Sequence, residues 1–153
     1  MKRTILITGA NGFLGEYYVD YLIKKKHRII AVDKHFFNLT KYKSEKNFYK
    51  FNCNISTENS LKKLVLEIKR NKLKVDAIIN NAAIDAIPKK NKKSFLFDQK
   101  TWINEVNTSL YASTYLSLYF GQSMPKDLGR IINIGSDLSV IAPNQEIYKS
   151  YSG

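Results

Sequence analysis

The run from Thr4 to Thr8 has an apolar centre without alternation, Ile5-Leu6-Ile7, and is followed by glycines spaced Gly9, Gly12 and Gly15. A strand that is apolar on both faces has to be covered on both faces, which happens in parallel sheets flanked by helices. The rest of the chain repeats this arrangement. Leu14 to His27 has helical spacing, with Tyr18, Val19, Leu22 and Ile23 on one side. Arg28 to Asp33 is a second apolar strand, and Phe48 to Cys53 is a weaker third. Thr57 to Asn71 predicts a helix with Leu61, Leu64, Val65 and Ile68 together. Val75 to Asn80, Asp98 to Ser123 and Gly129 to Ile134 predict a strand, a long helix and a fifth strand. The fold class is therefore α/β, a Rossmann-like doubly wound parallel sheet, with residues 1–153 as one domain.

Composition narrows the partners. The single cysteine, Cys53, excludes an internal disulfide and a cysteine zinc cage. Neither a signal-peptide core nor a membrane span is visible, so no membrane partner and a cytoplasmic location are expected. The net charge is +12, from 25 Lys+Arg against 13 Asp+Glu. Most of these cations are lysines scattered over helix ends and loops. Arginine, the side chain that clamps phosphates bidentately, is scarce. Solvated surface explains this charge better than a nucleic-acid site, so no nucleic-acid partner is expected. His27 and His35 have no helical partner at metal-ligand spacing, and no metal site is expected.

The chemistry begins at Thr8-Gly9-Ala10-Asn11-Gly12-Phe13-Leu14-Gly15, between the first strand and the first helix. Glycine permits a tight turn and the close approach of a pyrophosphate. The helix start that follows offers free N–H groups and partial positive charge. Asp33 closes the second strand, where a carboxylate accepts from both ribose hydroxyls of an adenosine and repels a 2′-phosphate. That favours NAD over NADP, although Lys34 and His35 follow at once and soften the charge.

With Asn80-Asn81-Ala82-Ala83 after the fourth strand and Ile132-Asn133-Ile134-Gly135-Ser136 after the fifth, the chain resembles the short-chain dehydrogenase/reductase family along nearly its whole length. The glycine spacing is that of the branch with sugar epimerases and dehydratases. The Asn-Asn-Ala-Ala block belongs to the smaller single-domain dehydrogenases, and Asn81 with its neighbours is the more specific piece. The resemblance implies a cofactor site formed by Thr8, Gly9, Asn11, Gly12, Phe13, Leu14, Gly15, Asp33, Asn54, Ile55, Asn81, Ala82 and Ala83. Asn54 stands where the family usually carries Asp. By the same resemblance Ser136, with Ser139 as fallback, would hold a substrate oxygen, and Asn107 would support the catalytic lysine. The long helix would pair with its copy in a homodimer or homotetramer. The stretch from Gly135 to Asn144 resembles members encoded with bacterial surface-sugar and flagellin-glycan enzymes, which implies a sugar or nucleotide-sugar substrate.

The family moves a proton with Tyr and Lys four residues apart on one helix. Four residues beyond Tyr148 is Ser152, not Lys, and four beyond Tyr151 lies past Gly153. The matches Tyr21/Lys25 and Tyr42/Lys46 fall before the fourth strand and read as chance. A doubly wound dinucleotide fold has about six strands, and the pattern here predicts five. The expectation is a chain truncated after about the fifth strand, with the Tyr and Lys beyond Gly153. It would be the cofactor-binding portion of an NAD(P)-dependent oxidoreductase interconverting an alcohol and a ketone. The alternative is a catalytically dead NAD-binding module.

Overall fold

A computed structural model describes residues 2–42, 44–84, 98–136 and 140–141. Ser139, Tyr148, Tyr151 and the basic stretch around Pro88 lie outside the described residues. Strand β1 (Thr4–Thr8) leads into helix α1 (Phe13–Lys24) and strand β2 (Arg28–Asp33). A 3-10 turn (Asn38–Tyr42) precedes β3 (Phe48–Asn52), α2 (Glu58–Arg70) and β4 (Ala77–Asn80). Helix α3 (Gln99–Val106) runs through a π-helical turn (Asn107–Tyr111) into α4 (Ala112–Gly121), and β5 (Arg130–Asn133) follows.

The strands are all parallel, in the order β3-β2-β1-β4-β5. The order reverses between β1 and β4, and the carboxyl ends of those strands are where an open α/β sheet forms its crevice. Register places Leu6 beside Ile30 and Ile78, and Ile5 beside Ile29 and Ala77. The period of two then sorts the side chains onto two cores. Leu6, Ile30, Val32 and Ile78 pack under α2 and α4 with Leu61, Leu64, Ile68, Leu116 and Phe120. Ile5, Ile7, Ile29, Ala31 and Ile79 pack on the other face with Val19 of α1 and Leu39 of the 3-10 turn. Both faces of the sheet are covered, as unalternating apolar strands require.

The local signals explain most element ends. Thr57 caps α2, its hydroxyl accepting from the Ser60 N–H at 3.4 Å, and Asp98 caps α3 by accepting from the Lys100 N–H at 3.2 Å. Helix α1 ends at Lys24, earlier than its apolar pattern predicts, because Lys26 turns left-handed at φ 64°. The N–H groups of Lys26 and His27 then close onto Ile23 and Leu22. A lysine carries none of the usual glycine signal for such a turn.

The long helix departs from the single element its pattern predicts. Trp102 is 52% exposed on α3. The apolar surface of the long helix divides: Leu116 is fully buried against the sheet, whereas Leu110 and Leu118 are each 65% exposed. The helix itself is interrupted by the π-helical turn that begins at Asn107. A single wide turn shifts every later side chain around the axis, so periodicity before it does not predict the face after it. Among the described residues no helix is long and apolar enough to cross a membrane.

Candidate functional site

The crevice is built from the turn that leaves β1. Gly9 adopts φ +63°, a left-handed conformation, and a Cβ there would lie 2.8 Å from the Ala82 Cα and 3.1 Å from the Ala82 N. The close approach of the two strand ends is held by side chains. The Thr8 hydroxyl accepts from the N–H groups of Asn81 and Ala82, each at 3.1 Å. The Asn81 amide donates back to the carbonyls of Thr8 at 3.2 Å and Gly9 at 3.0 Å. Thr8 is buried, so its hydroxyl works inside the protein rather than toward a ligand. Gly15 is also buried: a Cβ on it would collide with the Gly9 carbonyl oxygen.

Gly12 differs from its neighbours. Its φ of −77° and ψ of 174° suit any residue, and a Cβ there would meet only the Gly9 carbonyl oxygen at 3.3 Å. It caps α1 without a side-chain hydrogen bond, so the first N–H groups of the helix are left for an external acceptor. Neither a left-handed backbone nor a contact under 3.0 Å sets glycine at this position.

The cavity has a volume of about 710 Å³, within the range of cofactor sites. Its wall includes Gly9, Asn11, Gly12, Phe13, Leu14, Asp33, Ile55, Asn81, Ala82 and Ala83. Thus most of the residues expected from the sequence come together. Asn54 is exposed and does not line it; its side-chain oxygen accepts from the N–H and hydroxyl of Ser56 at 3.2 and 2.9 Å. Asp33 is held in place by the loop it faces, one carboxylate oxygen accepting from the Asn11 N–H at 2.9 Å. Each carboxylate oxygen has two lone pairs, so acceptor capacity remains toward the cavity.

Ser136 stands just beyond the carboxyl end of β5, on the same edge of the sheet but outside the lining of the cavity. Asn107 opens the π-helical turn and faces a separate cavity of about 380 Å³ with Ser56, Thr57, Glu58 and Tyr111. The next residue, Thr108, lines the main cavity and donates its hydroxyl to the Asn104 carbonyl at 2.8 Å. Sequence reasoning missed Thr108, Lys34, His35, Phe37 and Cys53 as wall residues. The available signal was adjacency, since each lies near a residue already singled out. Burial, reinforced by the charge of Glu67, pushes the Cys53 thiol up to about 11, so it is a protonated wall group and not a nucleophile at neutral pH.

The two Tyr-x-x-x-Lys matches are explained by their surroundings. Tyr21 is 61% exposed and Lys25 lies over its ring at 5.6 Å. Tyr42, the last residue of the 3-10 turn, donates its hydroxyl to Asp20 at 2.5 Å. Burial and that hydrogen bond raise the Tyr42 phenol to about 12, the wrong direction for a proton-transfer group at neutral pH. Among the described residues no group of three or more His, Cys, Asp or Glu is gathered for a metal ion.

Comparison with known proteins agrees with this fold. A family profile described as short chain dehydrogenase matches residues 3–152. The 3-oxoacyl-[acyl-carrier-protein] reductase FabG of Buchnera aphidicola subsp. Schizaphis graminum is 29% identical over 99% of this chain. The chain spans 62% of that relative's length. The fold matches a 4-hydroxyisoleucine dehydrogenase complexed with NADH at a TM-score of 0.81 and 24% identity, covering 98% of this chain and 62% of the other. It also matches a short chain dehydrogenase from Leptospira borgpetersenii with bound NAD+ at a TM-score of 0.80 and 22% identity, covering 97% of this chain and 57% of the other.

Proposed function

The chain belongs to the short chain dehydrogenase family, and from that premise we propose that it binds a nicotinamide dinucleotide, NAD before NADP, across the carboxyl ends of β1, β2 and β4. Residues 1–153 then serve as the cofactor-binding domain of an oxidoreductase that interconverts an alcohol and a ketone. The observation that carries this is Gly12: the one glycine of the loop with neither a left-handed φ nor a Cβ contact under 3.0 Å, facing the cavity at the start of α1. The family membership supplies the reaction class.

In this proposal each residue has a definite task. Gly12 leaves room for the pyrophosphate, and the N–H groups of Phe13 and Leu14 donate to it at the positive end of α1. Asp33 accepts from the adenosine ribose hydroxyls and disfavours a 2′-phosphate by charge repulsion. Ile55, Ala82 and Ala83 give the adenosine half apolar walls. When bound, the dinucleotide takes up or supplies hydride at its nicotinamide. Ser136 holds the substrate oxygen, and Asn107 helps to support the catalytic lysine. The substrate is placed at the level of an alcohol or ketone. The sugar expectation rests on the stretch from Gly135 to Asn144, most of which lies outside the described residues, and FabG, by its name, acts on an oxoacyl group. The exposed Trp102, Leu110 and Leu118 are the surface through which a homodimer or homotetramer would form.

Titration of the chain with NADH and NADPH, followed by fluorescence, tests the proposal. Saturable binding that prefers NADH is expected. Asp33→Asn keeps an acceptor for the Asn11 N–H and removes only the charge. It should narrow the preference by roughly tenfold or more, the effect of removing one repulsion between partly solvated charges. A folded chain that binds neither dinucleotide overturns the reading, and unchanged selectivity means that the ribose is read by another group.

A further inference from the structure

One side chain joins the glycine loop to the far wall of the cavity. The Asn11 side-chain oxygen accepts from the backbone N–H groups of Asn38 at 3.0 Å and Leu39 at 3.3 Å. The Asn38 side chain donates back to the Asn11 carbonyl at 3.4 Å. An amide oxygen has two lone pairs, and both are taken here, so this atom is not available to a ligand. The segment it holds is the start of the 3-10 turn, Asn38–Tyr42. The other end of that turn is fastened to α1. Lys41 reaches Glu16 at 3.2 Å and Asp20 at 3.0 Å, and Tyr42 donates to Asp20. Leu39, between these attachments, is buried in the core on that face.

Phe37 immediately precedes the turn. It is 74% exposed, it lines the cavity, and its ring stacks with His35, with centroids 5.8 Å apart and planes at 29°. Both rings follow Asp33 in the chain, and Asp33 is itself tied to the Asn11 backbone. Asn11 therefore contacts both the carboxylate that closes β2 and the turn that carries the aromatic wall. A flat, exposed ring in the wall of a cavity that Ile55 and Ala82 also line is suited to a purine face.

Resting on the dinucleotide reading above, we propose that Asn11 is a positioning residue: it holds the His35–Phe37 pair at the adenosine end of the cavity, so that loop and aromatic wall form one binding body. Its contribution to affinity passes through Phe37 and not through a direct contact of its side-chain oxygen.

The test is a double-mutant cycle on the full chain, with AMP and NADH as probes in calorimetric titrations. Asn11→Ala and Phe37→Ala should each weaken AMP binding by about fivefold to tenfold, the effect of one or two neutral hydrogen bonds or one ring contact. The double variant should be no weaker than Phe37→Ala alone. Asn11→Ser, which keeps an acceptor oxygen, should recover part of the loss. Asn38→Pro removes one of the two backbone donors and the Asn38 side-chain donor, leaving the Leu39 N–H, and places proline at the first position of the turn, where it is tolerated. It should weaken AMP binding in the same direction as Asn11→Ala but by less, and stands in if that variant fails to fold; AMP binding unchanged in Asn38→Pro overturns the coupling. Independent, additive losses in a folded double variant overturn the coupling, as does unchanged AMP binding in Asn11→Ala. A wild-type chain that binds neither AMP nor NADH overturns the dinucleotide reading itself, and the inference with it.

Discussion

The glycines of the loop have three different tasks, and alanine substitutions separate them. Gly9→Ala forces a Cβ into a left-handed residue at φ +63°, which costs about 1–2 kcal/mol. The same Cβ lies 2.8 Å from the Ala82 Cα and 3.1 Å from the Ala82 N, backbone atoms of the segment that follows β4. Overpacking of that kind adds about 1–3 kcal/mol. The sum, about 2–5 kcal/mol, is a large part of the ~5–15 kcal/mol that holds a domain folded. Gly15→Ala improves helix propensity by about 1 kcal/mol. Its Cβ, however, collides with the Gly9 carbonyl oxygen and lies 2.8 Å from two backbone atoms of Ala10. Helix α1 must then lift from the loop, and the net loss should reach about 2 kcal/mol or more. Gly12→Ala meets one atom at 3.3 Å in an ordinary backbone conformation and should cost about 1 kcal/mol or less. The assay is urea unfolding followed by far-UV circular dichroism. At slopes of about 1–3 kcal/mol/M, Gly9→Ala should lower the midpoint by roughly 1 M or more and Gly12→Ala by much less, with the slopes unchanged. In NADH titrations the order reverses, and Gly12→Val should stay folded and fail to bind. Equal destabilisation by Gly9→Ala and Gly12→Ala, or NADH binding retained by Gly12→Val, would refute the assignment of tasks.

Two further outcomes follow from the same geometry. Thr8→Val keeps the shape and removes the acceptor for the N–H groups of Asn81 and Ala82, leaving two part-buried donors unpaired. A loss of about 2–4 kcal/mol is expected in urea unfolding, and a loss under 1 kcal/mol would show that water replaces the hydroxyl. Tyr42 has its phenol raised from 10.0 to about 12 by burial and by its hydrogen bond to Asp20. The unfolded chain therefore loses this proton first as pH rises, so the contribution is complete below about pH 10 and disappears on the way to pH 12. Thermal midpoints should fall across that window in the wild type and fall less in Tyr42→Phe. Parallel curves would place the alkaline loss elsewhere.

Residues acting through chain-local physics were legible in the sequence. The strand from Thr4 to Thr8 and the strand from Arg28 to Asp33 occur with the bounds their apolar runs predict. Both faces of those strands are buried, so no polar residue blurs their limits. Thr57 and Asp98 announce their helices because a cap acts within a few residues. The glycine spacing and Asp33 located the crevice, since a turn between strand and helix must lie at the carboxyl edge of the sheet. Other features depend on residues far apart in the chain. The separate tasks of Gly9, Gly12 and Gly15 come from which backbone stands opposite each, and Ala82 and Ala10 are not identifiable as those neighbours from spacing. Asn11 faces a turn at Asn38 and Leu39 instead of the cavity alone. Trp102 lies on α3, none of whose residues is buried. The amino-acid sequence by itself determined the strands, their two-sided burial and the place of the site along the chain, because those depend on near neighbours and on apolar pattern. Tertiary structure alone decided which side chains hold the site together, because that depends on contacts across the sheet that no local pattern encodes.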